Sequence, residues 1–236
     1  MSSTAAVFGN TGLVGSHILE TLLGLDACKS VYTISRRAPK TESPKLNATI
    51  EADTTKWTSK LHSIAPLPET VFSALGTTRV QAGGIQNQWK IDHDLNIEIA
   101  KAAHAAGVKT YIFISSGGTR GLLSNYVPYS KMKVGVEDAI KSLGFEQAII
   151  VRPGMLLGDR GNAASSHPGN GFLNSAFRSL GYIGQGVQNK FSQEGDVVAR
   201  AAVKASILAA EGKASSKYWI LDAAEIVKLG RDEWKS

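Results

Sequence analysis

A glycine turn, Gly9-Asn10-Thr11-Gly12-Leu13-Val14-Gly15, sits between a short apolar run at residues 5–8 and an amphipathic stretch at residues 13–23. Strand, tight turn and helix in that order form the unit that opens a nucleotide-binding α/β fold, because the turn brings backbone N–H groups to the start of a helix. The same alternation continues along the chain. Apolar, β-rich segments at residues 31–35, 49–52, 71–74, 111–114, 147–151 and 218–221 alternate with helical periodicity at residues 91–106, 131–142 and 197–210. Several of these strands are continuous apolar runs, as expected where helices cover both faces of a parallel sheet. The expected fold is therefore α/β, a Rossmann-type doubly wound parallel sheet with a small C-terminal substrate lobe. Gly107 and Gly144 stand where helices should stop.

The 236 residues fit one domain, 1–236, and no linker divides them. Residues 158–195 break the pattern. They are rich in Gly, Asn and Ser, with Pro168 in the middle and a single short helical stretch around residues 172–180. So long an irregular region, arriving after the last central strand, reads as a substrate-covering insertion.

No apolar stretch approaches the roughly 20 residues that span a bilayer, and the glycine turn begins too near Met1 to leave room for a signal sequence. Peripheral membrane contact stays open. The single cysteine, Cys28, excludes an intrachain disulfide and reads as a small residue after the first helix. The formal net charge of +6 comes from scattered Lys and Arg without basic runs or interleaved aromatics, so nucleic acid is not expected as a partner.

Within the turn, Gly9 permits the bend, Gly12 lets the backbone approach a diphosphate, and Gly15 allows close helix packing. Asn10, Thr11, Leu13 and Val14 complete the expected cradle. The run at residues 31–35 ends in Arg36-Arg37, where an NAD-preferring protein would carry an acidic residue for the ribose hydroxyls. Two guanidinium groups favour a 2′-phosphate, so the expected cofactor is NADP(H). Asp53 is placed either to accept from the adenine amino group or to cap the helix that follows. Leu75, Gly76 and Thr77 should leave the fourth strand and pass beneath the nicotinamide, unless they form an ordinary strand-ending turn.

The strand at residues 111–114 delivers Ser115-Ser116-Gly117-Gly118 at its carboxyl end, the side on which open parallel sheets bind ligands. On a helix beginning near Tyr129, Tyr129 and Lys133 share a face. A free phenol ionises near pH ~10, and a neighbouring ammonium favours its ionised form, making a tunable acid or base. Ser116 would hold a substrate oxygen while Tyr129 transfers the proton and Lys133 supports it.

In series, these motifs resemble the atypical, extended-like short-chain dehydrogenase/reductases. Leu75-Gly76-Thr77-Thr78-Arg79, Asp92-His93-Asp94, Ser115-Ser116, Tyr129 with Lys133, and Arg152-Pro153-Gly154 through Arg160 are similar to the Tat-interacting-protein group, which includes fungal proteins of the mitochondrial outer membrane. The resemblance implies an NADPH-binding fold with a Ser116, Tyr129, Lys133 set, Lys133 on the nicotinamide ribose and Pro153 beside the cofactor. It also implies placement at the cytosolic face of the mitochondrial outer membrane, and pairing through residues 131–142 is common among similar proteins, so a homodimer is an expectation.

Two positions depart from the family pattern. Asp92 stands where extended members carry an Asn, and Val134 where a Gly commonly follows the Lys. Two functions stay open: reduction of a small-molecule carbonyl, or an NADPH-binding regulatory or scaffold role with a protein partner. No His spacing suggests a metal, and His93, between Asp92 and Asp94, reads as solvated or capping.

Overall fold

The computed structural model describes residues 3–121, 126–157 and 192–234. Seven parallel strands form one sheet in the order β3-β2-β1-β4-β5-β6-β9. In chain order these are β1 (Ser3–Phe8), β2 (Cys28–Ser35), β3 (Leu46–Ile50), β4 (Thr70–Ser73), β5 (Thr110–Ile114), β6 (Gln147–Val151) and β9 (Tyr218–Leu221). A separate parallel pair joins β7 (Met155–Leu157) to β8 (Ser192–Glu194). The strand order reverses between β1 and β4, both paired in parallel, and this leaves a crevice at their carboxyl ends.

Helices cover both faces. On one side α1 (Leu13–Gly24), α6 (Gly195–Ala210) and α7 (Ala223–Val227) close a core with Val7, Phe72, Ile112 and Ile149. On the other, α2 (Trp57–His62), α4 (Asn96–Ala106) and α5 (Pro128–Leu143) pack over Phe8, Val71, Tyr111 and Ile150. Central β5 is buried throughout because it is covered twice, which is why it reads as an unbroken apolar run. Edge strand β3 has only half-buried and exposed residues. It spans 46–50 rather than the expected 49–52, since pairing on one side alone relaxes the demand for apolar residues.

Gly107 and Gly144 end α4 and α5 in the left-handed conformation, as their positions suggested. The helix expected from Ile91 begins earlier: α3 (Ile85–Trp89) runs through a π-helical stretch, Lys90–Leu95, into α4. The irregular region also ends earlier than expected, because 192–194 form β8 and Gly195 opens α6. The short helix expected around 172–180 lies outside the described residues.

Candidate functional site

The glycine turn is shaped by contacts that leave no room for side chains. Gly9 has φ +80°, and a Cβ there would stand 2.6 Å from the Ala74 carbonyl carbon; at Gly15 a Cβ would meet Gly9 O at 2.1 Å. The turn is thereby clamped between α1 and the end of β4. Gly12 donates its N–H to Gly9 O at 2.9 Å and caps α1 without any side-chain hydrogen bond. Asn10 is 2% exposed, yet neither polar atom of its amide has a partner among the described residues. A buried amide left open in this way, together with uncapped helix N–H groups, fits an anionic dinucleotide.

At the end of β2, Arg36 and Arg37 are exposed, and the Ser35 hydroxyl donates to Arg37 O at 2.7 Å. No ion pair engages either guanidinium among the described residues. Asp53 shows the capping arrangement: its Oδ1 accepts from Thr55 N at 3.0 Å and Thr55 Oγ1 at 2.6 Å, and these bonds hold its carboxyl below the usual range.

Across the crevice, Lys133 is 4% exposed. Its ammonium donates to Ile114 O at 3.1 Å and lies 4.7 Å from the Phe113 ring centroid, so α5 is pinned to the carboxyl end of β5. Tyr129, one turn earlier on the same face, is 38% exposed. Pro128 at the first turn and the left-handed Gly144 bound this helix. Ser116 follows β5 by two residues and is half-buried, its hydroxyl donating to Gly117 O at 3.4 Å. The Ser116 loop is itself held by Gly117 N donating to Pro153 O at 2.6 Å, which brings Pro153 to the same strand ends.

Leu75, Gly76 and Thr77 meet the opposite helix. Thr77 donates its N–H to Asp92 Oδ1 at 2.7 Å, and Gln88 Nε2 donates to both Thr77 O and Asp92 Oδ2. A Cβ at Gly76 would stand 4.0 Å from both Asp92 Oδ1 and Lys133 Nζ. Burial pushes the Asp92 carboxyl above its ordinary value, opposed by the Lys133 charge and the donors from Thr77 and Gln88.

Three residues of this half escape a motif-by-motif reading. Asn96 is buried and donates from Nδ2 to Ile91 O and Asp92 O, carbonyls of the π-helical stretch, while its Oδ1 accepts from Ser73 Oγ at 2.7 Å. Gln88 is the second. Glu137, 0% exposed, is the third: it accepts from Ser115 Oγ at 2.6 Å, Arg120 Nε at 3.1 Å, and Arg152 Nε and Nη2 at 3.0 and 2.6 Å. The signal was spacing. Gln88, Asp92 and Asn96, and likewise Tyr129, Lys133 and Glu137, recur every four residues.

His93 bonds Asp94 at 2.7 Å, and its ring packs near Trp89. A Cβ at Gly135 would meet His93 Nε2 at 2.5 Å, so the glycine that lets this helix approach α5 is two positions after Lys133. No cluster that could hold a metal occurs among the described residues.

Residues 5–180 match the NAD dependent epimerase/dehydratase family. The chain belongs to that family. Within it, "Protein FMP52, mitochondrial" of Chaetomium globosum is 60% identical over 230 residues, covering 97% of each chain. "Protein fmp52-2, mitochondrial" of Aspergillus oryzae is 60% identical over 233 residues, covering 99% of each. Among solved structures, the Bordetella bronchiseptica enzyme WbmF in complex with NAD+ superimposes with a TM-score of 0.68 at 15% identity, over 94% of this chain and 73% of that one. A short chain dehydrogenase/reductase from Saccharomyces cerevisiae gives 0.66 at 19% identity, over 96% and 99%. At such identities these likenesses establish the epimerase/dehydratase-type fold. The family is nucleotide-dependent, and its relatives carry mitochondrial names.

Proposed function

We propose that this protein is an NADPH-dependent reductase of a small carbonyl compound. The observation that carries the reading is α5: Lys133 is buried against the end of β5 while Tyr129, one turn away on the same face, stays open to solvent. The backbone of Gly9, Asn10, Thr11, Gly12, Leu13 and Val14 would hold the diphosphate. Arg36 and Arg37 would take the 2′-phosphate, in the place where an acidic residue would select NAD. Leu75, Gly76, Thr77 and Pro153 would border the nicotinamide half.

Bound NADPH would supply the hydride. Ser116 donates a hydrogen bond to the substrate oxygen, Tyr129 gives that oxygen its proton, and the Lys133 ammonium favours the phenolate left behind. On the family resemblance, the protein would work at the cytosolic face of the mitochondrial outer membrane. No described helix is long and apolar enough to cross a membrane.

The test is NADPH consumption across a panel of aldehydes, ketones and quinones. Tyr129→Phe should lower turnover by about 10²-fold or more while leaving NADPH affinity unchanged. NADPH binding without oxidation by any member of the panel would overturn the reductase reading.

A further inference from the structure

The role of Asp92 follows from what its carboxylate holds. The π-helical stretch turns this residue into the protein, and the carbonyls at Ile91 and Asp92 are taken up by the Asn96 amide, itself tied to Ser73 at the end of β4. The distortion is therefore supported on both sides. Asp92 is 0% exposed, and burying a carboxylate is costly unless it is bonded and paired. Its two oxygens are bonded separately. Oδ1 takes the Thr77 N–H at 2.7 Å and Oδ2 the Gln88 amide at 3.2 Å, while Gln88 also holds Thr77 O at 3.1 Å. Both backbone polar groups of Thr77 are thus clamped by one helix.

The charge is directed elsewhere. The Asp92 carboxylate and the Lys133 ammonium are not in direct contact, but both border the position of a Cβ on Gly76, and the Lys133 charge opposes the upward push of burial on the Asp92 carboxyl. An ammonium carries three donors, and one of those on Lys133 is spent on Ile114 O. A neutral Asn at position 92 could still accept from Thr77. Its own amide would then oppose the Gln88 amide, and the attraction for Lys133 would be gone.

We propose that Asp92 is a positioning residue for the nicotinamide half of the cofactor: its carboxylate fixes the Leu75-Gly76-Thr77 loop and sets a negative charge across Gly76 from the Lys133 ammonium, which is kept beside the loop for the ribose. This rests on the reading of the crevice as a dinucleotide site. The adenosine end, read by Arg36 at the end of β2, has no bond to Asp92.

The experiment titrates wild-type protein, Asp92→Asn, Lys133→Met and the double variant with NADPH, and separately with adenosine 2′,5′-bisphosphate, which lacks the nicotinamide ribose. Asp92→Asn should weaken NADPH about tenfold, the scale of a lost bond to a charged group, and leave adenosine 2′,5′-bisphosphate unchanged. The double variant should bind NADPH no worse than Lys133→Met alone, because the two act as a unit. Gln88→Leu, which removes the second side of the clamp, should show the same selective loss, and supplies the result if Asp92→Asn does not fold. Parallel weakening of both ligands would make Asp92 a general structural residue and overturn the proposal, as would full additivity with Lys133→Met. Wild-type protein that binds both ligands, with Asp92→Asn indistinguishable from it, overturns this inference alone. Wild-type protein that binds neither overturns the cofactor reading and this inference with it.

Discussion

At the glycine turn the chain leaves polar groups open: among the described residues the Asn10 amide is unpaired, α1 begins without a side-chain cap, and Arg36 and Arg37 face solvent. Across the crevice the pattern is reversed. Asp92, Lys133, Asn96 and Glu137 are all buried, and each is bonded to protein groups. On the proposed reading the first half gains its partners from a ligand, whereas the second has its charges fixed beforehand. Preorganised charge is what a proton-transferring site needs, since it costs no rearrangement when the substrate arrives. Stability and ligand selectivity should therefore separate between the halves, and substitutions can test that separation.

The largest effect is expected from Glu137→Ala, which leaves the Arg152 guanidinium and the Ser115 hydroxyl without their buried acceptor. We expect a loss of about 3 kcal/mol in urea unfolding, the scale for removing one partner of a buried pair. Arg120→Ala, on the 42% exposed guanidinium of the same network, should cost less than about 1 kcal/mol. Equal losses from the two would contradict the buried-hub description.

Gly15→Ala comes next, since the new Cβ must displace α1 from Gly9 O. A destabilisation of about 1–3 kcal/mol is expected, with dinucleotide affinity falling alongside it in the same preparation. A variant with native affinity would show that the turn is not the cradle.

A smaller and more selective effect is expected at Arg36. Arg36→Ala should reduce the preference for NADPH over NADH by about tenfold in competitive titration, without shifting the unfolding midpoint. Coenzyme preference altered by Glu137→Ala, or stability altered by Arg36→Ala, would break the contrast between the halves.

The smallest effects are in pH dependence, where Asp53 and Asp92 should act with opposite signs. The lowered Asp53 value gives a contribution that is complete above the ordinary carboxylate range and fades as pH falls through the folded value. For Asp92 the folded value is raised, so from 3.8 upward to that value the folded chain binds more protons than the unfolded one. Its contribution therefore falls as pH rises through that window. Unfolding measured across the acid range should show Asp53→Ala losing stability above the window and Asp92→Asn flattening the decline within it.

Much of the fold was legible because parallel strands covered on both faces must be apolar: β5 and β6 follow from residues such as Ile112 and Ile149. The helix around Asp92 was harder to delimit. A π-helical stretch adds residues to a turn, so the apolar stripe from Leu95 to Ala103 does not continue in phase back to Ile85. The six-residue α2 is too short to display a period, although Trp57 and Leu61 are spaced for one buried face. At the site, the glycine turn and the Tyr129/Lys133 pair could be recognised as local patterns. Asn96 and Glu137 could not be assigned partners, because Ser73, Ser115, Arg120 and Arg152 come from other elements.

By itself the sequence determined the alternating α/β architecture, the glycine turn and the placement of two arginines at the end of the second strand. These depend on backbone sterics and on residues close in the chain. The tertiary structure decided which way the charges face: Asp92 toward Thr77 and Lys133, Glu137 toward Arg152 and Arg120. The reason is physical, since a buried charge persists only beside a compensating group, and these groups are assembled by folding from distant parts of the chain.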